Sequence, residues 1–125
     1  MKALRLLVVL SFFICSHLAH ASYSVDPKIR SQQGIASWYG DNLKNRPTAS
    51  GEPFDPKKLT AAHPSLPFGT YVKVTNMRNQ RTVIVRINDR GPYSGKRIID
   101  LSRAAAEKIG LRRAGIGPVK IQILK

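Results

Sequence analysis

Apolar and polar residues alternate with a period of two in several short stretches of the chain, and those stretches predict a mainly β protein. Tyr71-Val72-Lys73-Val74-Thr75 alternates, then Asn76 to Gln80 turns the chain. Thr82 to Ile87 alternates again and puts Val83, Val85 and Ile87 on one face. Val119-Lys120-Ile121-Gln122-Ile123 predicts a last strand, and Ile35 to Tyr39 a first one that ends at Gly40. One segment has a different texture. Ala104, Ala105 and Ala106 are strong helix formers, with Asp100 or Ser102 as the N-terminal cap and Gly110 as the left-handed stop. Ala105, Ile109 and Ala106 then face the core.

Ahead of these elements the pattern is lost. Ser22 to Gln33 has no apolar periodicity and contains Pro27, so residues 22–33 are expected to be a flexible lead-in to a domain spanning 34–125. The first 21 residues read as a signal peptide. Lys2 and Arg5 precede an apolar run from Leu6 to Ile14, and Ala19-His20-Ala21 offers small residues to a signal peptidase. The run falls short of the roughly 20 residues a spanning helix needs, so no stable membrane insertion is expected after cleavage. Cys15 is the only cysteine, and the bulky Ile14 before it argues against a lipid anchor there. A mature chain from Ser22 would have no disulfide and would hold together by packing alone. The expected location is secreted or periplasmic.

Charge narrows the partners. The chain carries 21 Lys and Arg against 7 acids, for a formal net charge of +14. Loss of Lys2 and Arg5 with the leader would reduce that to +12. The cations are scattered rather than gathered in one block, and export argues against nucleic acid. Attraction to an anionic envelope polymer remains, beside the plainer reading of a solvated basic surface. A monomer is expected.

Where acids are scarce, their placement is informative. Ile87-Asn88-Asp89-Arg90-Gly91-Pro92 sets a carboxylate at a strand end in a Gly-Pro turn, and Thr48 to Asp55 holds Glu52 and Asp55. Paired acids are the usual means of cleaving glycosidic bonds. Taken singly, each acid also has a local reading: Asp89 bonded to its own turn, Glu52 a loop acid, Asp55 a turn residue ahead of Pro56. His63 is the only histidine beyond the leader, so neither a metal nor another cofactor is expected. Trp38 and Tyr39 are adjacent on a strand and point to opposite faces, one to the core and the other to a sugar ring. Tyr93, just past Pro92, is a candidate to line a cleft. Arg90 either binds a carboxylate through its planar fork or braces the loop around Asp89.

Gly34-Ile35-Ala36-Ser37-Trp38-Tyr39-Gly40, Thr48 to Asp55, Leu59-Thr60-Ala61-Ala62-His63, Leu66-Pro67-Phe68-Gly69-Thr70, Ile87 to Pro92 and Ile98-Ile99-Asp100-Leu101-Ser102 together resemble the rare lipoprotein A family. The resemblance runs in order from Gly34 to Leu124. It implies a six-stranded double-psi β-barrel with one or two short helices. It also implies an endolytic peptidoglycan lytic transglycosylase that acts on glycan strands stripped of stem peptides and leaves 1,6-anhydro-muramic ends. By position, the family's functional residues fall on Glu52, His63 and Asp89. Asp89 is then the expected general acid and base. Glu52 supplies a second negative charge or stabilises the oxocarbenium-like transition state, and His63 bonds substrate or orients a carboxylate, although a lone histidine is more often a structural hydrogen bonder. Arg90, Tyr93 and Trp38, read from the residues themselves, join His63 as the expected substrate contacts. Two features depart from the family pattern: the missing lipid-attachment signal, and the absence of a C-terminal glycan-binding domain before Lys125. The rival reading is a non-catalytic, expansin-like cell-wall polysaccharide-binding module that uses the same groove. A third is a hydrolase with Glu52 and Asp89 as an inverting pair, which needs carboxyls roughly 6.5–9.5 Å apart.

Overall fold

A computed structural model describes residues 30–124. The expected signal peptide, Cys15 and residues 22–29 of the expected lead-in lie outside them. Six strands form: β1 Ser31–Trp38, β2 Thr60–Ala62, β3 Tyr71–Asn76, β4 Thr82–Asp89, β5 Arg97–Leu101 and β6 Ile116–Ile123. They close into a barrel in the order β1-β5-β2-β4-β3-β6. The pairs β1·β5 and β2·β4 are parallel, and the other four are antiparallel.

The period-two alternation becomes burial. Val83, Val85 and Ile87 of β4 meet Val72 and Val74 of β3 and Val119 and Ile121 of β6 inside the barrel. Each such side chain, fully buried, stabilises the fold by about 1.5–3 kcal/mol before chain entropy is counted. Close approach favours Gly34: a Cβ there would lie 2.6 Å from Ile98 Cγ2, so the Ile98 side chain would have to move to admit a larger residue.

The helix α1, Arg103–Lys108, seals one part of the core with Ala105 and Ala106, and Ile109 follows at its end. Its cap is Ser102, whose Oγ accepts the N–H of Ala105 at 3.2 Å. Asp100 is not the cap. It lies in β5, bonded to Ser37 and to Arg97, because its side chain points across to β1 rather than along the helix axis. At the other end Gly110 takes φ +69°, its N–H bonds Glu107 O, and Leu111 N–H reaches back to Ala106 O. That pair of bonds is the Schellman stop.

The expected boundary at Gly34 is too late. Ser31, Gln32 and Gln33 already belong to β1, opposite Gln122, Ile121 and Lys120 of β6. They lack an apolar signature because this stretch of β1 is held by backbone ladder bonds to β6 and leaves its side chains partly in solvent.

Candidate active site

Asp89 is the last residue of β4, where the strand gives way to the Arg90-Gly91-Pro92 turn. A register shift between Ala61 and Ala62 of β2 pairs Ala62 with Asp89, and His63 N–H bonds Asp89 O at 3.2 Å. Such irregularities re-aim a strand end. Over this end folds a loop built as a small ladder of its own. Asn45 N–H bonds Phe54 O, Phe54 N–H bonds Arg46 O, and Thr48 N–H bonds Glu52 O, each at 2.8 Å. Ser50 N–H reaches Asn88 O at 3.2 Å and ties the loop to β4.

Among the described residues the Asp89 carboxylate accepts three hydrogen bonds. Oδ1 takes the backbone N–H of Arg90 at 2.8 Å and of Ala49 at 2.9 Å. Oδ2 takes the hydroxyl of Tyr39 at 2.9 Å. The local reading, an aspartate bonding its own turn, is therefore correct for Oδ1 and incomplete for the group as a whole. Asp89 and Tyr39 line a pocket of about 130 Å3 with Leu43, Arg46, Pro47, Thr48 and Phe54. The Tyr39 ring meets buried Phe54 edge to face, with centroids 4.9 Å apart and planes at 71°. Burial and the neighbouring Asp89 push the Tyr39 hydroxyl far above the ordinary phenol range, so it stays a proton donor.

The other expected site residues are placed differently. Glu52 is not a free carboxylate beside Asp89. Its Oε1 and Oε2 take Arg86 Nη1 and Nη2 at 2.6 and 2.7 Å, a bidentate pair that holds the loop on β4. The Arg86 hydrogen bonds, opposed in part by desolvation, hold its carboxyl below the ordinary glutamate range. A negative charge already neutralised by a guanidinium is not the second charge expected to act on Asp89.

His63 is buried, and its Nδ1 accepts the backbone N–H groups of Ser65 and Leu66, both at 3.1 Å. Burial, then the nearby Arg90 charge, lowers it to about 4, so the ring is neutral at pH 7 with its proton on Nε2. Nε2 lies 3.4 Å from Gln32 Oε1. His63 organises the 63–66 turn; no face of it is open in the Asp89 pocket. Arg90 takes the bracing role: Nη1 donates to Leu66 O at 2.8 Å, and the guanidinium lies 4.0 Å from the centre of the Phe68 ring. Trp38 points the other way from Tyr39, packs on the core and donates its indole N–H to Arg112 O at 3.2 Å. It is the core member of the pair and does not line the pocket. Tyr93 is 80% exposed in the turn past Asp89 and lies open to a ligand. Asp55 accepts Lys57 N–H at 2.9 Å, a turn residue as expected.

Sequence reasoning left Tyr39 undecided and passed over Arg86, Arg46 and the Ala49 N–H. Opposite orientation of Trp38 and Tyr39 was readable; which of them faced the acid depended on a partner 50 residues away. Among the described residues no cluster of three or more His, Cys, Asp or Glu is placed to hold a metal ion.

A closed six-stranded barrel in the order β1-β5-β2-β4-β3-β6, with two parallel pairs, is of the double-psi β-barrel class. Solved structures agree on the fold. Streptomyces papain inhibitor superposes with TM-score 0.63 at 24% identity, covering 81% of this chain and all of that one. An expansin of Clavibacter michiganensis, bound to cellohexaose, superposes with TM-score 0.61 at 21% identity, covering 76% of this chain and 50% of that one. Residues 31–121 match the lytic transglycolase family, and the chain belongs to it. A probable endolytic peptidoglycan transglycosylase RlpA of Synechocystis is 56% identical over 77% of this chain and 30% of its own length. The corresponding Nostoc protein is 58% identical over 75% and 26%. The Yersinia pestis endolytic peptidoglycan transglycosylase RlpA is 56% identical over 69% and 24%. The chain thus spans less than a third of the length of each of these three relatives.

Proposed function

We propose that this domain is an endolytic peptidoglycan lytic transglycosylase, exported to the cell envelope, that cleaves the bond between MurNAc and GlcNAc in glycan strands without stem peptides. The observation that carries the reading is Asp89, held by three donors in a pocket at a strand end, in a chain more than half identical to proteins of that name. Glycosidic oxygen is a poor leaving group and needs a proton as its bond to C1 breaks. The protonated Asp89 gives that proton to the departing GlcNAc O4, which also takes the bonding electron pair. The resulting carboxylate removes the proton from the muramic C6 hydroxyl as its oxygen closes on C1. The product is a 1,6-anhydro sugar, Asp89 is protonated again, and no water is consumed. Glu52, paired to Arg86, supports the loop that supplies the Ala49 N–H and takes no proton itself. Tyr93 and Arg46 flank the path of the strand.

The test is a digest of amidase-stripped glycan strands with the purified protein, read by mass spectrometry. Anhydro-muramic ends are expected, with a loss of about 10²- to 10⁴-fold in Asp89→Asn at unchanged melting temperature. Reducing ends would make the protein a hydrolase. Binding without new ends would make it the expansin-like module, and a well-folded, active Asp89→Asn would remove Asp89 from the chemistry.

A further inference from the structure

A carboxylate offers about four lone-pair positions, two on each oxygen. In Asp89 the two on Oδ1 are both used, by Ala49 N–H at 2.9 Å and Arg90 N–H at 2.8 Å. Backbone N–H groups only donate, so a proton on Oδ1 would face two donors. Among the described residues Oδ2 has one partner, the Tyr39 hydroxyl at 2.9 Å, which leaves its second position open. We propose that Oδ2 is the oxygen that carries the transferred proton and that Tyr39 is the residue that positions it. This rests on Asp89 being the acid and base of the proposed reaction.

Tyr39 is built for the task. Its N–H bonds Leu101 O at 2.9 Å where β1 leaves the β5 ladder, which sets the backbone. Phe54, itself buried, meets the ring edge to face and sets the side chain. Of the three groups that hold Oδ1 and Oδ2, only the Tyr39 hydroxyl can both donate and accept, so it stays bonded when the carboxyl gains or loses its proton. The charged and titratable neighbours do not duplicate it. From the 45–54 loop, Glu52 is bound to Arg86, and Arg46 lines the pocket without an ion-pair partner among the described residues. From the end of β2, buried His63 spends Nδ1 on its own turn. Past β4, the Arg90 guanidinium is turned to Leu66 O and Phe68, and Tyr93 is exposed. From β5, Asp100 is bonded to Ser37 and Arg97, and its charge reaches Tyr39.

The experiment compares wild type, Tyr39→Phe and a protein with 3-fluorotyrosine at position 39. It measures kcat and KM on soluble stripped strands against pH, with the side-chain carboxyl of Asp89 followed by 13C NMR. Phenylalanine keeps the contact with Phe54 and removes one donor from the ionised form. It is expected to lower kcat on the order of 10- to 100-fold with KM within about twofold. The alkaline limb, where the acid loses its proton, moves to higher pH, and the 13C titration moves with it. Fluorotyrosine, a stronger donor, moves both the opposite way. Unshifted titrations in well-folded variants overturn the inference, whatever happens to kcat. The NMR arm does not need turnover: a wild type that yields no anhydro ends overturns the transglycosylase reading, while a shifted 13C titration still supports Tyr39 as the group that positions Oδ2.

Discussion

At the scale of single residues, the site separates groups that face the pocket from groups that hold it open. Asp89 and Tyr39 face it; His63, Arg90 and Glu52 spend their polar atoms on the protein itself. His63 shows the difference in a measurable way. Its folded value is lowered to about 4 from an unfolded value near 6.5. Between those limits the unfolded chain takes up a proton that the folded chain refuses, so stability is fully present above about pH 6.5 and falls as pH drops toward 4. Urea unfolding across pH 4–7.5 is expected to show that decline, and His63→Gln to flatten it while lowering stability at pH 7. A decline of the same steepness in His63→Gln would place it elsewhere. The proximity of His63 to the acids in sequence motifs was legible. That its Nδ1 is taken by Ser65 and Leu66 was not, because a buried acceptor and an exposed ligand look alike in a single sequence.

At the scale of elements, the strands that could be read were those with one solvated face. β3 and β4 alternate because one side of each meets water, and Val83, Val85 and Ile87 mark the other. β2 escaped direct reading because Thr60, Ala61 and Ala62 are all buried, so three residues show no alternation. β5 escaped because Arg97 to Leu101 leads into α1 almost at once, and its Asp100 resembles a helix cap while bonding Ser37 across the barrel. The 45–54 loop was legible as a dense motif but not as a small ladder, since Pro47 and Pro53 hide the pairing between its two arms. Its attachment through Glu52 and Arg86 gives a test at this scale. Glu52→Gln breaks a half-exposed bidentate pair, for which a loss of about 1 kcal/mol is expected. The Ala49 donor moves with the loop, so kcat is expected to fall by more than the stability change alone implies. Lost stability with kcat unaltered would mean that β4 and Tyr39 hold Asp89 without the loop.

At the scale of the whole molecule, the barrel order β1-β5-β2-β4-β3-β6 brings together residues that the chain keeps far apart, and no local pattern encodes that closure. Net charge, by contrast, is a property of the whole and is read directly: +14 over 125 residues. The described acids are largely paired, Glu52 with Arg86, Asp100 with Arg97 and Asp41 with Arg103, so much of the excess positive charge is left to solvent and partners. A field of this kind acts over a Debye length of about 10 Å at 0.1 M salt and shrinks as salt rises. An anionic glycan polymer would be gathered by it before any sugar enters the Asp89 pocket. Binding to isolated sacculi can be separated from cleavage by using Asp89→Asn, which leaves the cationic surface intact. Retention of that variant is expected to fall steeply as salt is raised from about 0.05 to 0.5 M. If the positive surface gathers substrate, KM of the wild type on stripped strands rises over the same range while kcat holds. Retention that ignores salt would locate the affinity in the cleft, on neutral contacts such as the exposed Tyr93 ring.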